Sequence, residues 1–94
     1  MKKYENLRTD VLMEAMNLIN GDREKDYGTP KDNFTKIAEL WTVYMEHKFN
    51  AVDVCNMMVL LKMARLSNSA HIDSNIDVAG YIALAAEMSE ACKE

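Results

Sequence analysis

Apolar residues recur every three or four positions along most of this chain, and the places where the recurrence stops divide it into four helices. Leu7, Val11, Leu12, Ala15, Met16 and Ile19 make the first, an amphipathic helix over residues 4–19, with Gly21 behind it as a C-terminal cap. The recurrence lapses from Asn20 to Lys31, a stretch dense in both charge and glycine, and a long connection of that kind between short-linked helices points to function. Thr29 and Pro30 read as the N-cap and first residue of a second helix, whose apolar face is Phe34, Ile37, Ala38, Trp41, Tyr44 and Met45 and which ends near His47. Asn50 caps a third helix from Ala51 to about Leu66. Only Asp53, Asn56, Lys62 and Arg65 interrupt its apolar residues, so it is expected to be central. Ser67 to Ile72 is a polar linker, and the fourth helix runs from about Ser74 to Cys92. From Val78 to Ala86 every residue of that helix except Gly80 is apolar or tyrosine, which suits it to the interior.

Four helices with short connections predict an all-α fold, an antiparallel four-helix bundle. No proline or glycine cluster and no internal repeat divides residues 1–94, so one domain is expected. A lone chain of that length buries only roughly 60 to 65% of the surface its unfolded form exposes. Hydrophobic residues nonetheless make up 49% of it, more than a small bundle needs to bury, and the excess predicts a homo-oligomer.

A net charge of −4 without a basic run argues against binding a nucleic acid polymer, which needs cations to displace counterions. A small anion held by a few local cations is still allowed. Cys55 and Cys92 lie inside helical patterns without CxxC spacing, which indicates neither a disulfide framework nor a zinc site and fits a reducing cytosol. No charged leader followed by an apolar core is expected, and no apolar run comes near the roughly 20 residues that a membrane span requires. A soluble, cytoplasmic protein with no membrane partner is the expectation.

The polar residues that break the apolar helices carry the candidate chemistry. Thr29 and Asp32, Asn50 and Asp53, and Ser74 and Asp77 are each spaced as an N-cap and the third helical residue, so all three aspartates have a reading as caps that needs no ligand. Asp53 and Asp77 differ from Asp32 because they begin the two most apolar helices. A desolvated carboxylate must be protonated, hydrogen-bonded, paired with a cation or bound to a metal. If Asp53 and Asp77 converge at one end of the bundle, with Asp73 or Glu46 completing the set, they make a divalent-cation site. Mg²⁺ takes one or two carboxylates together with substrate phosphates.

In the loop, Arg23, Lys25 and Lys31 surround Tyr27 and Gly28, a combination that suits an anion bearing a planar ring: a guanidinium fork for phosphate, an aromatic face for a base. Read plainly, the same residues are surface charges and a turn. Lys62 and Arg65 have two readings as well, as interior partners for acids of another helix or as cations reaching solvent near a helix C-terminus. Met57, Met58, Met63 and Trp41 read as core, and His47 and His71 have no partner at metal spacing. No nucleophile triad and no phosphate-cradling glycine loop is present in the sequence.

With these residues placed, Arg23-Glu24-Lys25-Asp26-Tyr27-Gly28, Phe34 to Trp41, Lys62-Met63-Ala64-Arg65-Leu66 and Asp73 to Tyr81 together resemble a family of small phage and prophage proteins. In that family an R…DYG loop precedes an NF..IA.LW helix, then a K.AR helix and a D…D.AGY helix. The family is similar to the nucleotide-modification-associated helical domains of phages and, more remotely, to the MazG-like all-α nucleoside triphosphate pyrophosphatases. The resemblance implies a protein of the host cell cytoplasm that binds a nucleotide. Hydrolysis of a (deoxy)nucleoside triphosphate with Mg²⁺ is the enzymatic form of that expectation. Asp53 and Asp77 would be catalytic, Asp53, Asp73 and Asp77 would hold the metal, and Arg23, Tyr27, Lys31, Lys62 and Arg65 would hold the substrate. Two alternatives stand beside it: a non-catalytic protein that sequesters a nucleotide second messenger, and a structural bundle whose aspartates are only caps.

Overall fold

The computed structural model describes residues 6–21 and 28–92. They form four helices, α1 Leu7–Asn20, α2 Pro30–Met45, α3 Ala51–Asn68 and α4 Ile72–Cys92, with no strand among the described residues. The all-α expectation holds, and each helix lies where the apolar recurrence placed it. No helix among the described residues is long and apolar enough to cross a membrane.

Local chemistry sets the helix ends. The Asp32 N–H donates to Thr29 Oγ1 at 3.2 Å, and Pro30 takes the first helical position, where its missing N–H costs nothing. At α3 the box is reciprocal: the Asp53 N–H donates to Asn50 Oδ1 at 2.8 Å and the Asn50 N–H to Asp53 Oδ2 at 3.0 Å. Gly21 does follow α1, but at φ −94° it makes no left-handed cap. Its lack of a side chain matters instead, because a Cβ there would stand 2.7 Å from the Asn17 carbonyl oxygen. The left-handed cap belongs to Glu46, with φ 53°, which ends α2 just before the expected His47.

The fourth helix corrects the capping scheme. It starts at Ile72, so Ser74 lies inside the first turn, wholly buried, rather than at the cap. His71 serves there: its carbonyl accepts from the Ser74 and Asn75 N–H groups at 3.0 and 3.2 Å, and its Nδ1 lies 2.8 Å from Ser74 Oγ. Asp77 is therefore too deep in the helix to be a capping acid.

The core joins Phe34 and Ala38 of α2, Val54 and Cys55 of α3, and Leu84 and Met88 of α4, with Trp41 half-buried against it as expected. Consecutive helices joined by short turns double back, α2 onto α3 and α3 onto α4. The Phe49 N–H pins the α2–α3 turn by donating to Thr42 Oγ1 at 2.9 Å. Ahead of the long connection, α1 packs on α4 alone and runs in the same direction: Leu7, Arg8 and Val11 lie near Ile72 and Asn75, and Ile19 lies at Gly80. A Cβ on Gly80 would stand 3.2 Å from Ile19 Cγ2, so the glycine sets how closely the two helices approach. Farther along α4, Phe34 of α2 meets Tyr81 edge-on with ring centroids 6.1 Å apart. Thus α1 covers the first half of α4 and α2 reaches its second half, giving a body 44 × 29 × 24 Å.

The central helix is α4, not α3. It is flanked by α1, α2 and α3, whereas among the described helices α3 meets only α2 and α4 and keeps an open outer face. Several residues expected in the core lie on open faces for the same reason: Met57 and Met63 on α3, Tyr44 and Met45 on α2, Leu12 and Met16 on α1.

Candidate functional site

The α3–α4 hairpin decides which charges meet. Lys62 Nζ lies 3.0 Å from Asp77 Oδ2, with the two side chains 14% and 29% exposed. The acid at the start of the most buried helix is neutralised by a cation from the neighbouring helix, one of the two readings open for Lys62. Arg65, one turn further toward the linker, is exposed, and so is Asp73, one turn before Asp77 on the same stripe of α4.

The same register separates the acids expected to converge. Asp53 precedes Lys62 by nine residues of one helix, about 13.5 Å along its axis, so Asp53 and Asp77 lie in opposite halves of the hairpin. Asp53 is also engaged, with Oδ2 accepting from the Asn50 N–H. Glu46 sits at the α2–α3 turn, at the end where Asp53 lies rather than Asp77. Among the described residues no three His, Cys, Asp or Glu side chains stand close enough to hold a metal ion, so the expected set of Asp53, Asp73 and Asp77 does not form within one chain. What the chain brings together is Asp73 and Asp77 on α4 with Lys62 and Arg65 on α3.

Arg23 and Tyr27 lie outside the described residues, but the connection that carries them is bracketed. Ile19, just before it, packs at Gly80, and Phe34, just after it, packs at Tyr81. The nearest core residues on either side of it, Ile19 and Phe34, are therefore seated on consecutive residues of α4, about one turn beyond Asp77. Gly28 has φ 81°, a backbone conformation that disfavours a side chain, and Lys31 is exposed on the first turn of α2. These contacts place the motifs Phe34 to Trp41, Lys62 to Leu66 and Asp73 to Tyr81 around one stretch of α4.

Two clefts lie elsewhere. One of about 520 Å³, walled mainly by apolar atoms, runs between α2 and the start of α3 along Ala38, Thr42, Phe49 and Ala51. The other, about 790 Å³, lies between α1 and the start of α4, where Asn6, Arg8 and Asn75 supply polar groups. Neither is lined by Asp53, Lys62 or Asp77. Arg8 and Asn75 had no place among the sequence candidates, because single polar residues on amphipathic helices carry no signal until the helices are docked.

A family model described as Domain of unknown function (DUF6378) matches residues 10–89. The chain is 46% identical over 72 residues to the Gene 55 protein of Mycobacterium phage D29, covering 76% of this chain and 48% of that protein. It is 42% identical over 80 residues to the Gene 55 protein of Mycobacterium phage L5, covering 83% and 51%. The chain thus spans about half the length of the curated relatives it matches. No solved structure matches it. These similarities carry the resemblance to phage proteins and do not extend to nucleotide-modification domains or MazG-like pyrophosphatases.

Proposed function

The chain belongs to the DUF6378 family, and from that premise we propose that it is a nucleotide-binding protein of the phage type that holds its ligand without hydrolysing it. The observation that carries this reading is the position of the Lys62–Asp77 pair, one turn of α4 from Gly80 and Tyr81, where Ile19 and Phe34 on either side of the charged connection are seated. In this reading Arg23, Lys31 and Arg65 neutralise phosphate and Tyr27 stacks on the base. Lys62, held in place by Asp77, is the cation nearest the interior. Binding is favoured over turnover because the acids that would share a metal are spent on other work, Asp53 on a cap and Asp77 on an ion pair. A protein that only traps its ligand suits a nucleotide second messenger, for which removal from solution is itself an effect.

A second reading, Mg²⁺-dependent hydrolysis of a nucleoside triphosphate, draws on one observation. Asp73 and Asp77 share a stripe of α4 one turn apart, and Mg²⁺ accepts as few as one or two carboxylates when phosphates complete its shell. One experiment separates the two. The protein is titrated with canonical dNTPs, cyclic dinucleotides and ADP-ribose-type nucleotides, in Mg²⁺ and in EDTA, while heat of binding and pyrophosphate release are followed. Binding near one ligand per site that survives EDTA, weakens in Arg65→Glu and returns the ligand unchanged is expected. Pyrophosphate release that needs Mg²⁺ and disappears in a folded Asp77→Asn variant would establish the hydrolase instead. No binding by any of the nucleotides removes both and leaves the structural bundle.

A further inference from the structure

We infer that the outer face of α3 is the contact between two copies of this chain, packed antiparallel about a two-fold axis level with Leu60 and Leu61. Leu60 is 64% exposed and Leu61 48%, and Met57 and Ala64 are open beside them. Asp53, Met57, Leu60, Ala64 and Ser67 follow one another at spacings of four, three, four and three, the seam that lets two helices interlock. A helix apolar on every side is normally covered on every side, and among the described helices α3 is covered by α2 and α4 alone.

The face complements itself, which argues that the missing cover is a second copy. It is apolar in the middle and polar at both ends, with Asp53 at one end and Arg65 flanking the other. An antiparallel two-fold between Leu60 and Leu61 sets each Leu60 against Leu61 of the other copy and each Met57 against its Ala64. Arg65 of one copy then stands level with Asn56 of the other, within side-chain reach of Asp53. Contacts of this kind close on themselves, giving a dimer rather than a filament.

The mass of the full chain in solution, by light scattering or sedimentation, tests this. The wild type is expected at twice its 10.7 kDa, with Leu60→Glu and Leu61→Lys each at the mass of one chain and with unchanged helical circular dichroism, since neither side chain is buried within the chain. An equimolar mixture of the two variants is expected to regain the doubled mass, because glutamate at 60 then faces lysine at 61. A wild type that stays monomeric at high concentration, or a Leu60→Glu variant that keeps the wild-type mass, overturns the interface. A mixture that stays monomeric overturns the antiparallel register. None of these outcomes depends on whether a nucleotide binds.

Discussion

Removing the charge of Lys62 while keeping its stem, as in Lys62→Met, is the most direct probe of the hairpin that builds the candidate site. At 3.0 Å and an effective dielectric near 20, the gross attraction between Lys62 and Asp77 is about 5 to 6 kcal/mol, but desolvation of both ions cancels much of it. The net value lies between two limits. Exposed pairs contribute under about 1 kcal/mol, and breaking a fully buried pair costs about 3 to 5 kcal/mol. With Lys62 14% and Asp77 29% exposed, neither ion is fully dry, and about 2 kcal/mol is expected for Lys62→Met. Asp77→Asn should cost less, about 1 to 1.5 kcal/mol, because the amide oxygen still accepts from Nζ and the lysine stem can carry its charge toward water. The double variant holds no stranded charge, so its loss should fall short of the summed single losses by about 1 to 1.5 kcal/mol. Urea denaturation at one fixed chain concentration measures all four corners of the cycle. The single Lys62→Met change should also lower Tm by about 8 to 16 °C. Single losses below about 0.5 kcal/mol with additive double-variant behaviour would refute the idea that this pair is held in the interior.

Two further outcomes follow from helix ends and helix contacts. Asn50→Ala removes one half of the reciprocal cap and should cost about 1 kcal/mol in chemical denaturation, with Asp53→Ala comparable; an Asp53→Ala change silent in stability would mean that the carboxylate serves something other than its own helix. Gly80→Ala sets a helix-propensity gain of up to about 1 kcal/mol against a Cβ pressed to 3.2 Å from Ile19 Cγ2. It should leave Tm unchanged or lower it in the wild type, yet raise Tm once Ile19→Ala clears the space. Equal stabilisation in both backgrounds would place α1 away from Gly80.

What could be read from the sequence and what could not divide by the range of the interactions involved. The caps at Thr29 and Asn50 are decided within three residues, so side-chain chemistry alone locates them. Ser74 has the same chemistry and the same spacing to an acid, and the reading fails there. His71 offers both a carbonyl and a ring nitrogen to the first turn, and Ile72 begins the helix two residues earlier. The need of Asp77 for a partner was legible, because a carboxylate leading into an apolar helix cannot stay bare. That Asp53 is not beside it was not legible. The answer depends on the hairpin register, fixed by packing between Val54, Leu84 and their neighbours rather than by any residue near the two acids.

The direction of α1 was hidden for a related reason. A short turn forces the next helix to double back, as at Glu46 to Asn50, whereas the stretch from Gly21 to Thr29 is long enough to set its two helices end to end along α4. That arrangement has a consequence for the whole molecule. Stacked along one helix, α1 and α2 do not wrap both apolar helices of the hairpin. They cover α4 from either half and leave α3 with one side bare. Among the described residues, two strongly apolar helices have only two others to cover them, and α3 is left partly bare. The apolar excess in the composition and the open seam from Met57 to Ala64 are therefore one fact seen at two scales, the fact from which the antiparallel pairing of two copies is inferred.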